Sequence, residues 1–218
     1  MENKFSVSFD LDGVKADYES GMKRFGFEPD PSLNRSSHLL PGSGSARKRQ
    51  MYEAVKGTDF YAHLPILPGA TKLYNFVKKN MDNKPIFLTA APKFGATEVD
   101  YQINPYWLGA MFHKRNWVET KFLPLAWYER QPVGRKFIVS LSMNPLPDRL
   151  PIADERFICT ISSLKHTFMH RKMAKHQILV DDRPDNIEAW REAGGIGVQH
   201  TSAEDSIEQL KKIIRDAA

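Results

Sequence analysis

Phe5-Ser6-Val7-Ser8-Phe9-Asp10-Leu11-Asp12-Gly13-Val14 is the stretch that decides the fold. Phe5, Val7 and Phe9 alternate with small polar residues, the period-two pattern of a strand, and the run ends on two separated carboxylates and a glycine. A second short apolar run, Ile178-Leu179-Val180, ends on Asp181-Asp182. An isolated Asp-x-Asp-Gly is commonly only a turn, and an acidic pair before Pro184 can serve only as a helix cap. Two strands that each finish in carboxylates, however, make an oxygen cage suited to Mg²⁺.

Further elements follow outward from these runs. Residues 84–89 read as a strand ending at Thr89. Pro68-Gly69 opens a helix with Leu73, Phe76 and Val77 on one face. Pro184 suits the first turn of another helix, Gly194-Gly195 stops it, and Ile196-Gly197-Val198 is a short strand. The last helix carries Ile207, Leu210 and Ile214 on one face, with Thr201 and Glu204 at capping-box spacing before it. Strands alternating with helices predict an α/β fold with a parallel sheet flanked by helices, and ligands then gather at the carboxyl ends of the strands. Asp10, Thr89 and Asp181-Asp182 all fall at such ends.

Two segments break the alternation. Residues 14–67 read as a mainly helical cap inserted after the first strand, with a flexible turn at Pro41-Gly42-Ser43-Gly44-Ser45 before the basic helix start Arg47-Lys48-Arg49. The core is then 1–13 and 68–218, within which residues 91–170 form an extended segment. That segment holds Trp107, Trp117 and Trp127 and strand-like runs at 137–142 and 156–161, and its prolines suggest an excursion from the sheet. His166 and His170 stand four apart, but no Cys pair or His-Glu-x-x-His accompanies them, and they read as surface histidines.

A chain of 218 residues with 41% apolar and 26% charged residues can bury a full core. A single cysteine, Cys159, excludes an internal disulfide and fits a cytoplasmic setting. The N-terminal Met1-Glu2-Asn3-Lys4 lacks the apolar run of a signal peptide, and no stretch is long enough to span a membrane. The net charge of +5 favours anionic partners such as phosphate esters and is too mild to require nucleic acid.

Phosphate monoesters resist attack because the nucleophile meets negative charge, so an enzyme supplies a nucleophile, a proton donor and cations. Asp10 is the candidate nucleophile, forming an aspartyl-phosphate. Asp12 is the candidate acid and base. Asp10, the Asp12 carbonyl and an acid from Asp181-Asp182 would hold Mg²⁺, with Thr89 offering a hydroxyl to phosphoryl oxygens. A lysine before the second acidic run would complete the charge balance, and Lys172 and Lys175 are the candidates.

These residues resemble the haloacid dehalogenase superfamily of phosphatases, and within it the 5'(3')-deoxyribonucleotidases and their phage and bacterial relatives. Asp10-Leu11-Asp12-Gly13-Val14, Phe87-Leu88-Thr89, a lysine within Lys172-Met173-Ala174-Lys175, and Ile178 to Asn186 look like the four superfamily motifs. Ala16-Asp17-Tyr18, Phe60-Tyr61, Leu67-Pro68-Gly69-Ala70, Trp190 and Gly194-Gly195-Ile196 are similar to the nucleotidase branch. The likeness covers about the first 90 and the last 45 residues. It implies a Rossmann-like core, Asp10 as nucleophile, Asp12 as acid and base, Asp182 as the direct metal ligand with Asp181 in support, and Lys172 as the third-motif lysine. Tyr18 takes the place where that branch sets an aromatic ring against the nucleobase. Ala90 stands where the nucleotidases have a phosphate-contacting serine, Lys15 where they have an apolar residue, and the region after Thr89 is longer than theirs. The expected substrate is a nucleoside monophosphate, with a nucleic-acid 3'-phosphate as the enzyme alternative and a phosphate-binding protein without turnover as the other. A homodimer is left open.

Overall fold

The computed structural model describes residues 5–28, 30, 43–132, 136 and 146–217. Its centre is a five-stranded, all-parallel sheet in the order β3-β2-β1-β4-β5. The strands are β1 (Ser6–Phe9), β2 (Ile86–Ala90), β3 (Phe157–Thr160), β4 (Gln177–Asp181) and β5 (Ile196–Gln199). β1 lies in the middle, with Phe9 opposite Phe87 on one side and Val180 on the other.

Successive strand residues point to opposite faces, and both faces are covered. Phe87, Ile178 and Val180 join one apolar cluster, while Leu88 and Leu179 join another with Ile187 and Trp190. Helices α3 (Ala70–Asn80) and α7 (Ala203–Asp216) close the first face through Leu73, Val77, Ile207 and Leu210. Helix α6 (Pro184–Glu192) closes the second. Val7 and Phe9 are fully buried. Each such side chain stabilises by roughly 1.5–3 kcal/mol, which makes the alternation in β1 a strong determinant of its register.

Details differ from the sequence expectation. In α3 the buried face runs through Tyr74 with Leu73 and Val77, and Phe76 is half-buried. The cap of α7 is Ser202, whose hydroxyl accepts from Asp205 N–H at 3.1 Å, so the cap sits one residue beyond Thr201.

After β1 the chain turns at Gly13 and leaves the sheet. Ala16 bridges to Ile66, and Asp17 N–H donates to the Pro65 carbonyl at 2.9 Å. Between these points lie α1 (Tyr18–Arg24), α2 (Ser43–Val55) and a 3₁₀ turn at Phe60–Ala62. Residues 43–45, expected as a flexible turn, are the first residues of α2; Pro41 and Gly42 lie outside the described residues.

Residues 91–170 do not simply leave the sheet. The 156–161 run supplies β3, paired in register with β2. The 137–142 run lies outside the described residues. Helix α4 (Pro105–Trp117) continues through a π turn at Val118–Phe122 into α5 (Leu123–Glu129). Pro124 cannot donate to the helical ladder, and the wide turn before it bonds Leu123 N–H to Val118 instead. α4 is fixed to the 14–67 segment by Trp117 Nε1–H, which donates to the Leu64 carbonyl at 2.8 Å.

Candidate functional site

Asp10 follows β1, Thr89 lies near the end of β2, and Asp181 ends β4. These are three adjacent parallel strands, so their carboxyl ends lie side by side on one edge of the sheet, where α/β folds gather ligands. Ligand oxygens of Asp10, Asp181 and Asp182 lie within 4.8 Å of one another. Lys165, only 1% exposed, donates to Asp10 Oδ2 at 2.8 Å and Asp181 Oδ2 at 2.7 Å. Asp181 is further held by Arg183 N–H at 2.9 Å and by the Asn186 amide. Leu11 N–H donates to Asp10 Oδ1 at 2.8 Å.

In this cluster Lys165 faces three carboxylates, and Arg183 adds positive charge beside Asp182. Burial raises the Asp181 carboxyl above its ordinary value against the pull of Lys165. Burial, then Asp181 and Asp10, push Asp182 well above its own. Burial opposes the Lys165 ammonium too, yet Asp10 and Asp181 outweigh it and hold Lys165 above its usual value. Three carboxylates make an all-oxygen set able to hold a metal ion, the kind of set that suits a hard divalent cation. The fit also depends on Gly13. At φ +74° its missing Cβ would stand 2.4 Å from Asp182 Oδ2, so only glycine lets the turn after Asp12 pass the Asp182 carboxylate.

Asp12 faces a different partner. Its Oδ2 accepts from Lys114 Nζ at 2.6 Å, and its Oδ1 is buried without a hydrogen-bond partner among the described residues. Burial raises the Asp12 carboxyl, with Asp10 adding and Lys114 opposing. Lys114 also donates to Thr89 Oγ1 at 3.3 Å and lies over the Tyr61 ring at 4.4 Å. The Tyr18 hydroxyl is buried and unpartnered among the described residues, and its ring meets Phe60 edge-on. Burial, then Tyr52 and Asp12, raise that hydroxyl well above its usual value. Ala90 ends β2 half-buried, beside Thr160 of β3.

The structure thus brings together Asp10, Asp12, Thr89, Asp181 and Asp182, with Tyr18 nearby. It does not bring Lys172. Lys172 and Lys175 are both exposed in a 3₁₀ segment, Arg171–His176, and neither forms an ion pair among the described residues. The lysine at the carboxylates is Lys165, in the 3₁₀ segment Ser162–Phe168 that follows β3. A short loop before Asp181 therefore does not deliver a lysine to the carboxylates, because Lys172 and Lys175 face outward from the 3₁₀ segment. The usable signal was Lys165's place just after the strand-like run 156–161. The extended backbone at Met169 and His170 also separates His166 and His170, so they do not share a helix.

Lys114 was missed as well. Trp107, Ala110, Lys114 and Trp117 are the buried positions of α4, at spacings three, four and three. A lysine on an otherwise apolar helical stripe was the available signal. The chain matches no protein-family model and no curated protein. No helix among the described residues is long and apolar enough to cross a membrane.

Proposed function

We propose that the protein is a Mg²⁺-dependent phosphatase of the haloacid dehalogenase type that hydrolyses nucleoside monophosphates, deoxyribonucleotides foremost. The observation that carries the proposal is the meeting of Asp10, Asp181 and Asp182 around buried Lys165 at the ends of neighbouring parallel strands. Asp10, Asp182 and the Asp12 carbonyl would hold the cation, with Asp181 orienting Lys165 and Asn186 beside them. Bound there, the cation would offset the phosphoryl charge that otherwise repels a carboxylate nucleophile.

The chain's own residues divide the chemistry. An Asp10 oxygen bonds to phosphorus while the bond from phosphorus to the ester oxygen breaks. The proton of Asp12 passes to that leaving oxygen, releasing the alcohol and leaving a phosphoryl group on Asp10. Asp12, now ionised, takes a proton from water, whose oxygen bonds to phosphorus as the Asp10 oxygen departs. Inorganic phosphate and the original carboxylates result. The raised proton affinity of Asp12 supports this shuttle. Thr89 and Lys165 donate to phosphoryl oxygens, and Tyr18 offers its ring to the base.

The test is phosphate release from deoxynucleoside 5'- and 3'-monophosphates, ribonucleotides and a 3'-phosphorylated oligonucleotide, each with Mg²⁺ and with EDTA. Release from mononucleotides that EDTA abolishes is expected. No release from any ester sinks the proposal, and a large preference for the oligonucleotide replaces its substrate with a nucleic-acid end.

A further inference from the structure

Lys114 is 2% exposed and reaches the site from α4, in the part of the chain that carries no motif of its own. A buried ammonium is costly unless its protons are used. Among the described residues its three N–H groups meet two oxygens, Asp12 Oδ2 at 2.6 Å and Thr89 Oγ1 at the long distance of 3.3 Å. The ring face of Tyr61 is a third, weaker neighbour. Both oxygens belong to groups that act on the phosphoryl centre in the proposed reaction. Asp12 Oδ1, on the same carboxylate, is buried and unpartnered among the described residues, so the pair borders a place that would accept a proton donor such as the hydroxyl of hydrogen phosphate. Lys165 also meets two oxygens, but both are carboxylate oxygens at 2.7–2.8 Å, so it has no weak contact to exchange and only its third N–H is left for phosphate.

We propose that Lys114 is a second phosphoryl-binding cation, resting on Asp12 and Thr89 in the free protein and donating to a phosphoryl oxygen when substrate or phosphate is bound. This rests on the phosphatase proposal for its chemistry. The weak Thr89 contact is the one given up, since a charged phosphoryl oxygen is the stronger acceptor. α4 thereby ties the phosphate to the excursion after β1, because Tyr61 covers the same ammonium and Trp117 holds Leu64.

The experiment measures binding of inorganic phosphate, in Mg²⁺, by calorimetry to the wild type, Lys114→Met, Lys114→Gln and Lys114→Arg, alongside mononucleotide turnover. Losing the charge should weaken phosphate binding roughly 10–100-fold, and Lys114→Arg should restore most of it. Lys114→Gln keeps a polar head for the case in which Lys114→Met does not fold, and the same loss is expected of it. Wild-type phosphate affinity in a folded, uncharged variant overturns the proposal, even if turnover falls, because Lys114 then only positions Asp12. A wild type that binds no phosphate overturns it too. A wild type that binds phosphate in a Lys114-dependent way yet hydrolyses nothing upholds Lys114 and removes the phosphatase proposal alone.

Discussion

The strand ends and the 91–170 segment contribute to one site in opposite ways. Asp10, Asp12, Asp181 and Asp182 come from short local patterns, an apolar run followed at once by acids. Lys114 and Lys165 come from a helix and a 3₁₀ turn with no such pattern, and only the folded chain delivers them. The acids are set by backbone geometry, because a strand end fixes where the next two side chains stand. The cations are set by packing, because a long lysine stem buried against apolar neighbours can start far away and still place its ammonium.

Removing the local half should have the largest effect. Asp10→Asn should lower turnover by about 10⁴-fold or more, since the amide cannot attack phosphorus. Wild-type turnover in that variant would break the mechanism. Next is the packed half. Lys165→Met should cost about 10²–10³-fold in turnover, while Lys172→Met stays within about twofold. Equal effects of the two would erase the distinction between the buried and the surface lysine.

The scaffold of the long segment comes third. Glu119, 1% exposed in the π turn, accepts from Arg115 at 3.2 Å, from Ile152 N–H at 3.1 Å and from Arg149. Burial raises its carboxyl, but the Ile152 N–H and the two arginines win and hold it below its ordinary value of 4.5. Its stabilisation is therefore complete above the ordinary value and is lost as pH falls through the lowered native one. Glu119→Gln should cost about 2–3 kcal/mol at neutral pH, read by denaturant melts, and should weaken that acid dependence. An unchanged melt would mean that this clamp does not hold the segment.

The smallest effect belongs to Lys15, which is fully buried. Among the described residues its ammonium meets one carbonyl, that of Ala70 at 3.2 Å, and the rings of Phe9 at 3.8 Å and Phe122 at 5.8 Å. Burial drives its proton affinity well below the ordinary 10.5, so the unfolded chain binds that proton more readily. Stability should then rise with pH between the lowered native value and 10.5. Lys15→Met should stabilise at neutral pH by about 1–2 kcal/mol and flatten that rise. Destabilisation would show that the ammonium is better served in the core than its single carbonyl suggests.

The same division explains what could be read beforehand. β1, β2, β4 and β5 were visible because their apolar runs end in punctuating residues, and the parallel sheet followed from their alternation with helices. β3 was visible as a run but not as a neighbour of β2, because strand order is a long-range property. Lys165 was hidden by the surface turn that separates it from Asp181. Lys114 was hidden because one charge in the α4 stripe disguises a buried face. Thr201 lost its capping role to Ser202 by one position, the ordinary margin at a helix end.

The pairing of Ala16 with Ile66 has a consequence for how much chain can stand between them. Departure and return lie side by side, so the sheet registers only the two feet of the loop and not its contour length. Lengthening such a loop costs merely about 0.6 kcal/mol per doubling. The sheet can thus accept a longer segment between these two residues, provided that Leu64 keeps its carbonyl where Trp117 now donates.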